Sequence, residues 1–475
     1  RSFADSIVVK KMATFLEPAH SFQTRLGAAH FFLRAKADVK KFEEEVIRSA
    51  KEDKAVEVRM ASTNALRKMT EQKVIPVLAD ILKNEPDYRV RVNAVRACSL
   101  FPLNEIVFKA LKDQSLSVQI AASEVILSGI EKTPFKRLDE DIPAVENIRV
   151  KANLYGALLR SIPYDSAVSE IIKLYATSDT SAKANLINAL GYVKGKNVED
   201  AISFLAEELA DSQEFAIKSS AAQSLVSINK TVGADKENRF VEIYKNAILD
   251  GDAAVIGIVA SALSDEALGY KERIKDFSFL TIAKGKLSLP KDYESLQPLE
   301  EAIAYFEGRE KPTPPKNKFN HPINWELGKS IKKTQEVLIK TSKGDITLRL
   351  LVEETPGSVV NFVDLVNKKY FDGRFVHRVV PNFVIQTGCN RGDGFGSEDY
   401  SIRSEFSTRR YTRGSVGMAS AGKDTEGTQW FITHSPTPHL EGGYTLFAET
   451  ISGMDVVDSI EVGDQIISAT LVEEK

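Results

Sequence analysis

The sequence predicts a multidomain chain: an all-α solenoid over residues 1–307, a proline-rich linker over 308–335 and a strand-rich domain over 336–475. Three observations carry this reading. A nine-residue phrase with helical spacing recurs through the first half of the chain. A cluster of prolines then interrupts it. Beyond the prolines, apolar residues alternate with polar ones, which is the period of strands.

The phrase reads VRMASTNAL at 58–66, VRVNAVRAC at 90–98, VQIAASEVI at 118–126, VKANLYGAL at 150–158, AKANLINAL at 182–190, IKSSAAQSL at 217–225 and VIGIVASAL at 255–263. A weaker copy, TRLGAAHFF, lies at 24–32. Successive starts are 34, 32, 28, 32, 32, 35 and 38 residues apart, the period of stacked helix pairs. Val58, Ala61, Ala65 and Leu66 share one helical face. The stretch before a phrase reads as a second helix, as in KVIPVLADILKN at 73–84 and SAVSEIIKLYAT at 166–177. About eight pairs are expected, and each must stack on its neighbours because none can bury its apolar face alone. The second position of the phrase is polar or basic in seven copies: Arg25, Arg59, Arg91, Gln119, Lys151, Lys183 and Lys218. These side chains are expected to be solvated or to form a ladder. Over roughly residues 1–306 the pattern resembles HEAT repeats, whose second helix commonly begins V-R-x-x-A. Such a stack offers a long surface for a protein partner or client, or acts as a spacer.

The linker follows from Pro312, Pro314, Pro315 and Pro322, whose fixed φ and missing N–H favour extended backbone. After it, VLIKT at 337–341, a turn through Ser342–Asp345 and ITLRLL at 346–351 predict a hairpin. PGSVVNFVDLVNKKYF at 356–371 predicts one helix with Pro356 in its first turn, where no intrahelical N–H is needed.

Composition narrows the function. A net charge of −3 over 475 residues argues against a general electrostatic grip on nucleic acid. Cys98 and Cys389 lack metal-ligand spacing, so no metal site is expected, and no cofactor motif is present. No apolar run reaches the roughly 20 residues that span a bilayer. The chain opens on Arg1 instead of Met, from which we expect a removed N-terminal piece; the compartment stays open between an extracytoplasmic location, periplasmic or lipid-anchored, which this favours, and a cytoplasmic one.

Candidate chemistry lies in the strand-rich domain. DGRFVHRVVPNFVIQTG at 372–388 predicts strands broken tightly at Pro381 and Asn382, with Arg378, Phe383 and Gln386 projecting to one side. His377 alternates with Arg378 and should face the other way. GSVGMASAGKDTEGTQWFIT at 414–433 and HLEGGYTLFAET at 439–450 add two further strand and loop segments. Arg391-Gly392-Asp393 matches an integrin-binding tripeptide, a match expected by accident.

Four of these segments together resemble the cyclophilin family. Its signature F-H-R-(V/I)-(V/I)-x-x-F-(M/V)-(I/V)-Q-x-G reads VHRVVPNFVIQTG here. The family's M-A-x-A-G block reads MASAGKDTEGTQWFI, its L-(D/E)-G block reads LEGGYTLF, and its upstream helix reads TPGSVVNF, all in the family's order. The resemblance covers about residues 336–475. It implies a closed antiparallel β-barrel of eight strands with two capping helices, and a peptidyl-prolyl cis/trans isomerase that needs no cofactor. It makes Arg378 and Gln386 the catalytic pair, with Gln386 contacting substrate or orienting Arg378. Phe383, Met418, Phe431 and Leu440 become walls of a proline pocket, with Val384 in the place of a frequent Met. Ala419, Ser420, Ala421 and Gln429 line the adjoining peptide groove, and His439 and Tyr444 stand at the rim. The sequence departs from the family's commonest pattern at Val376, Val384, Ser420, Trp430 and His439. Ser420 and His439 argue against cyclosporin binding.

The chemistry is coherent on physical grounds. Rotation about an Xaa-Pro bond crosses a barrier of about 18–20 kcal/mol because it breaks amide resonance. Uncatalysed exchange takes roughly tens to hundreds of seconds. In the twisted transition state the prolyl nitrogen regains a lone pair, to which a guanidinium can donate while apolar walls hold the ring. The competing expectation is a scaffold whose barrel reads proline-containing peptides with incidental turnover.

Overall fold

The computed structural model describes residues 6–130, 138–161, 166–233, 238–314 and 319–473. The chain divides into two compact units, Arg1–Ile162 and Pro163–Lys475.

In the first unit the phrases at 24–32, 58–66, 90–98, 118–126 and 150–158 fall on the helices Phe22–Arg34, Val56–Ala65, Tyr88–Ala97, Leu116–Gly129 and Ile148–Ser161. Each of these packs on the next, and Glu43–Glu52, Glu71–Asn84 and Glu105–Ala110 flank them. Val58, Ala65, Val90, Ala94, Val118 and Ala121 are fully buried or nearly so, as the spacing requires. The basic second position forms a ladder. Arg25 donates to both carboxylate oxygens of Asp53 at 2.6 and 3.1 Å. Arg59 does the same to Glu85 at 2.9 and 3.0 Å, and Arg91 to Asp113 at 2.9 and 2.9 Å. Each rung also reaches the backbone of the previous one: Arg59 Nη1 donates to Asp53 O, Arg91 Nη1 to Glu85 O and Gln119 Nε2 to Asp113 O. The repeated residue thus ties the loop before its own helix to the loop of the next repeat.

The second unit carries the helices Thr180–Leu190, Phe215–Val232, Ala253–Leu263 and Tyr293–Glu307, again each on the next. Gly191 and Gly257 permit close approach, since an added Cβ would sit 3.2 Å from Ser224 Cα or Ser295 Cα. Tyr293–Glu307 has the position of a phrase-bearing helix without carrying the phrase.

Of the expected linker, positions 315–318 lie outside the described residues. Its C-terminal part lies on the sheet domain. Asn320 N donates to Ser401 O at 3.1 Å, and the His321 ring stacks on Tyr400 at 4.0 Å. A short helix, Trp325–Ser330, presses Leu327 against the sheet's core.

The sheet comprises β1 (Glu336–Thr341), β2 (Gly344–Leu350), β3 (Arg378–Val380), β4 (Val384–Thr387), β5 (Ser415–Met418), β6 (Trp430–Thr433), β7 (Leu446–Ser452) and β8 (Ile466–Leu471). All pairings are antiparallel, in the order β3-β4-β6-β5-β7-β2-β1-β8. The predicted β1–β2 hairpin is present and turns at Ser342 and Lys343. The strands form a cyclophilin-like curled eight-stranded sheet, and among the described residues no ladder joins β3 to β8. β3 is only three residues long, and the chain before it is bent at Gly373 (φ 79°). Irregular backbone bridges the edges instead: Phe375 pairs with Gln465, and Val376 N donates to Asp464 O at 2.8 Å.

Phe362, Phe371, Trp430 and Phe447 form the aromatic centre of the core. The helices Pro356–Asn367 and Met454–Ser459 pack on the sheet. The first begins where the Glu405 carboxylate accepts from Gly357 N and Ser358 N at 2.9 and 2.8 Å, satisfying two free donors. It stops at Asn367, short of the expected Phe371. Lys369 adopts a left-handed conformation (φ 54°), and Tyr370 N reaches back to Leu365 O at 2.9 Å. Among the described residues no helix is long and apolar enough to cross a membrane.

Candidate active site

Strand register assembles the site. Arg378 on β3 faces Gln386 on β4, and Gln386 faces Phe431 on β6, so these three side chains lie in a row on one face of the sheet. The β3–β4 turn has Pro381 followed by Asn382 at φ 61°, and Phe383 N closes it on Val380 O at 2.9 Å. This is the residue pattern of a type II turn, and it places Phe383 at the mouth of the row. Gly417 on β5 is opposite Phe431. A Cβ there would lie 2.4 Å from Phe431 Cζ, so only glycine lets the ring lie across β5.

These elements line a cavity of about 490 Å³. Arg378, Phe383, Val384, Gln386, Ala419, Ser420, Ala421, Gln429, Phe431, Leu440 and Tyr444 all border it. Val384, Phe431 and Leu440 form its apolar floor, with Phe383 and Tyr444 packed against them. Tyr411 stacks behind Phe431 with ring centres 5.9 Å apart. His439 stands at the rim, exposed, its ring stacked on Phe383 at 5.4 Å.

Met418 is corrected to a core residue: it is 1 % exposed and packs among the main core side chains. The two-residue period of β5 turns Gly417 toward Phe431 and Met418 to the opposite face. His377 departs from expectation in the other direction, since it also borders the cavity. It precedes the first residue of β3, so strand alternation does not govern it. Burial pushes its imidazole down to about 4, leaving it neutral at physiological pH.

The Arg378 guanidinium is exposed and held at one point. Its Nη1 donates to Gln386 Oε1 at 3.1 Å, and its Cζ lies 5.7 Å from the Phe383 ring centre. Gln386 Nε2 in turn donates to Gln429 Oε1 at 3.0 Å. Gln429 Nε2 donates to Gly394 O and Gly396 O at 2.7 and 2.9 Å. Among the described residues no carboxylate pairs with Arg378. The site is therefore a fixed cation at the edge of an apolar cup, an arrangement that can stabilise a developing lone pair without a nucleophile.

Sequence reasoning missed part of the cavity wall. Gly394–Ser397 and Thr428 contribute, as does Pro290–Ser295, at the start of the helix Tyr293–Glu307. Desolvation raises the carboxyls of Asp292 and Glu294 above the ordinary range. No local pattern marks a helical segment as a wall for strands some 90 residues later in the chain (Pro290 against Arg378). The integrin-like tripeptide is internal structure: the Arg391 side chain is 16 % exposed and pairs with Asp252 and Asp393.

Comparison with known proteins agrees with this geometry. Residues 336–472 match the family model described as cyclophilin type peptidyl-prolyl cis-trans isomerase/CLD, and residues 22–99 match HEAT repeats. A peptidyl-prolyl cis-trans isomerase of Synechococcus elongatus is 39% identical over 139 residues, spanning 29% of this chain and 96% of that protein. Peptidyl-prolyl cis-trans isomerase B of Bacillus subtilis is 43% identical over 121 residues, 25% of this chain and 85% of that protein. An isomerase of the same description from Helicobacter pylori is 41% identical over 140 residues, 29% of this chain and 86% of that protein. With a full-length family domain carrying this cup and this arginine, and HEAT repeats ahead of it, the chain belongs to the cyclophilin-type peptidyl-prolyl cis-trans isomerases.

Proposed function

We propose that the chain isomerises Xaa-Pro bonds in polypeptides, with Arg378 donating to the prolyl nitrogen as it pyramidalises. Val384, Phe431 and Leu440, with Phe383 and Tyr444, hold the ring. Gln386 keeps the guanidinium aimed, and Ala419, Ser420, Ala421 and Gln429 receive the flanking peptide. The observation that carries this reading is the exposed guanidinium, held by one neutral amide at the edge of an apolar cup. An ion-paired arginine would have its charge matched and two of its five donors occupied before substrate arrived.

In this reading the domains divide as 1–307, 308–335 and 336–475. The curled sheet acts as a closed barrel, which the backbone bonds between residues 373–376 and 463–466 support. The HEAT-like array serves as an arm for protein partners or clients, supported by the exposed surface any such stack presents. A client held on the array would meet the site at raised local concentration. The test is a refolding reaction limited by proline isomerisation. Wild-type chain should accelerate the slow phase and Arg378→Ala should not; a wild type without effect, or a variant equal to it, overturns the proposal.

A further inference from the structure

The isomerase site does not end at the sheet domain. Asp252 caps the helix Ala253–Leu263 of the helical array, accepting from Val255 N at 3.1 Å. The same carboxylate receives Arg391 Nη2 at 3.0 and 2.9 Å, and the Arg391 guanidinium lies 4.1 Å from the ring centre of Phe215, another residue of the array. The Asp252 and Asp393 side chains are 5 % and 1 % exposed, so this is a buried clasp and not a surface ion pair.

From the clasp a continuous polar path leads to Arg378. Arg391 donates to Asp393 through Nε at 3.1 Å and Nη2 at 2.7 Å. Asp393 Oδ1 accepts from Phe395 N at 2.9 Å, which fixes the backbone between Gly394 and Gly396. The carbonyls of those two glycines are the acceptors that hold the Gln429 amide. Gln429 holds Gln386, and Gln386 holds Arg378. The loop has little freedom to shift: a Cβ at Gly396 would fall 2.2 Å from Asn390 Oδ1.

We infer that Asp252, a residue of the helical array, is a positioning residue for the isomerase: through Arg391 and the 391–396 loop it sets the orientation of Gln429, Gln386 and Arg378. This rests on the function proposed above. It gives the array a role in turnover itself, separate from client binding. A charged residue at 252 is needed for the clasp but not for the helix, because Asn caps a helix as well as Asp does. Asp252→Asn therefore removes one of the two carboxylate partners of Arg391, the one supplied by the array, and spares the fold.

The experiment is exchange spectroscopy on an Xaa-Pro peptide with the full chain as wild type, Asp252→Asn, Asp252→Glu and Asp250→Asn. Asp250 pairs with Lys218 inside the array and serves as the control. Asp252→Asn should lower kcat roughly tenfold with KM within about twofold, because the arginine is misaimed while the cup is intact. The Arg378 Nε–Hε resonance should shift in the same variant. Asp252→Glu should recover most of the rate, and Asp250→Asn should match wild type. An unchanged kcat in Asp252→Asn, or a loss confined to KM, overturns the inference while leaving the isomerase reading standing. A wild type that does not speed exchange overturns both.

Discussion

The two regions of the molecule treat arginine in opposite ways. In the HEAT-like array Arg25, Arg59 and Arg91 each meet a carboxylate through two nitrogens, and Arg25 with Asp53 is almost completely buried. In the sheet domain Arg378 is exposed, and among the described residues its hydrogen-bond partner is the neutral oxygen of Gln386. These guanidinia place two nitrogens on a carboxylate and the third on a backbone carbonyl, and so serve architecture. One held by a single amide keeps four N–H groups for a visitor. The local company of the side chain, rather than its type, separates a structural arginine from a chemical one.

The largest expected effect tests the architectural half. Arg25→Ala leaves the Asp53 carboxylate buried without its partner, which should cost about 3–5 kcal/mol of stability in denaturant unfolding. A loss below about 1 kcal/mol would mean that the rung behaves as a surface pair.

Glu426 sharpens the comparison from the acid side. It is a fully buried carboxylate with no arginine; Thr445 Oγ1 donates to it at 2.8 Å. Burial pushes its carboxyl up to about 7, against an ordinary value of 4.5. An acid whose folded value is raised contributes stability that is complete below about 4.5 and is lost as pH rises through about 7. Glu426→Gln cannot ionise. Its stability relative to wild type should therefore rise by roughly 3 kcal/mol between those limits. Thermal melts of both proteins across that pH range check this, and a difference independent of pH would refute it.

The smallest effect is at the rim. His439 is exposed and stacks on Phe383, so His439→Ala should change kcat/KM for an Xaa-Pro peptide by less than about threefold, near the value of one exposed aromatic contact. A loss comparable to that from Arg378→Ala would move the centre of the site.

Much of this was legible in the sequence, and the omissions have physical causes. The phrases reveal the array because every repeat solves the same packing problem with small and apolar residues at the same offsets, as at Val58, Ala61 and Ala65. The helix Tyr293–Glu307 solves it with different residues and so escaped notice. The cup was readable because Phe383, Gln386, Phe431 and Leu440 sit in ordered blocks. Met418 was misplaced by one residue, and in a strand one residue exchanges the two faces. Sheet closure depends on the shortness of β3 and the bend at Gly373 before it, which apolar alternation does not encode. The Asp252–Arg391 clasp joins positions 139 residues apart, beyond the reach of any local pattern.

The most direct test crosses the two arginines in one assay. Exchange spectroscopy on an Xaa-Pro peptide, run well below the melting temperatures, should show Arg378→Ala losing about 100-fold or more of the catalysed rate with stability unchanged. Arg25→Ala should be less stable yet turn over at the wild-type rate. Equal catalysed rates for Arg378→Ala and wild type would contradict the account.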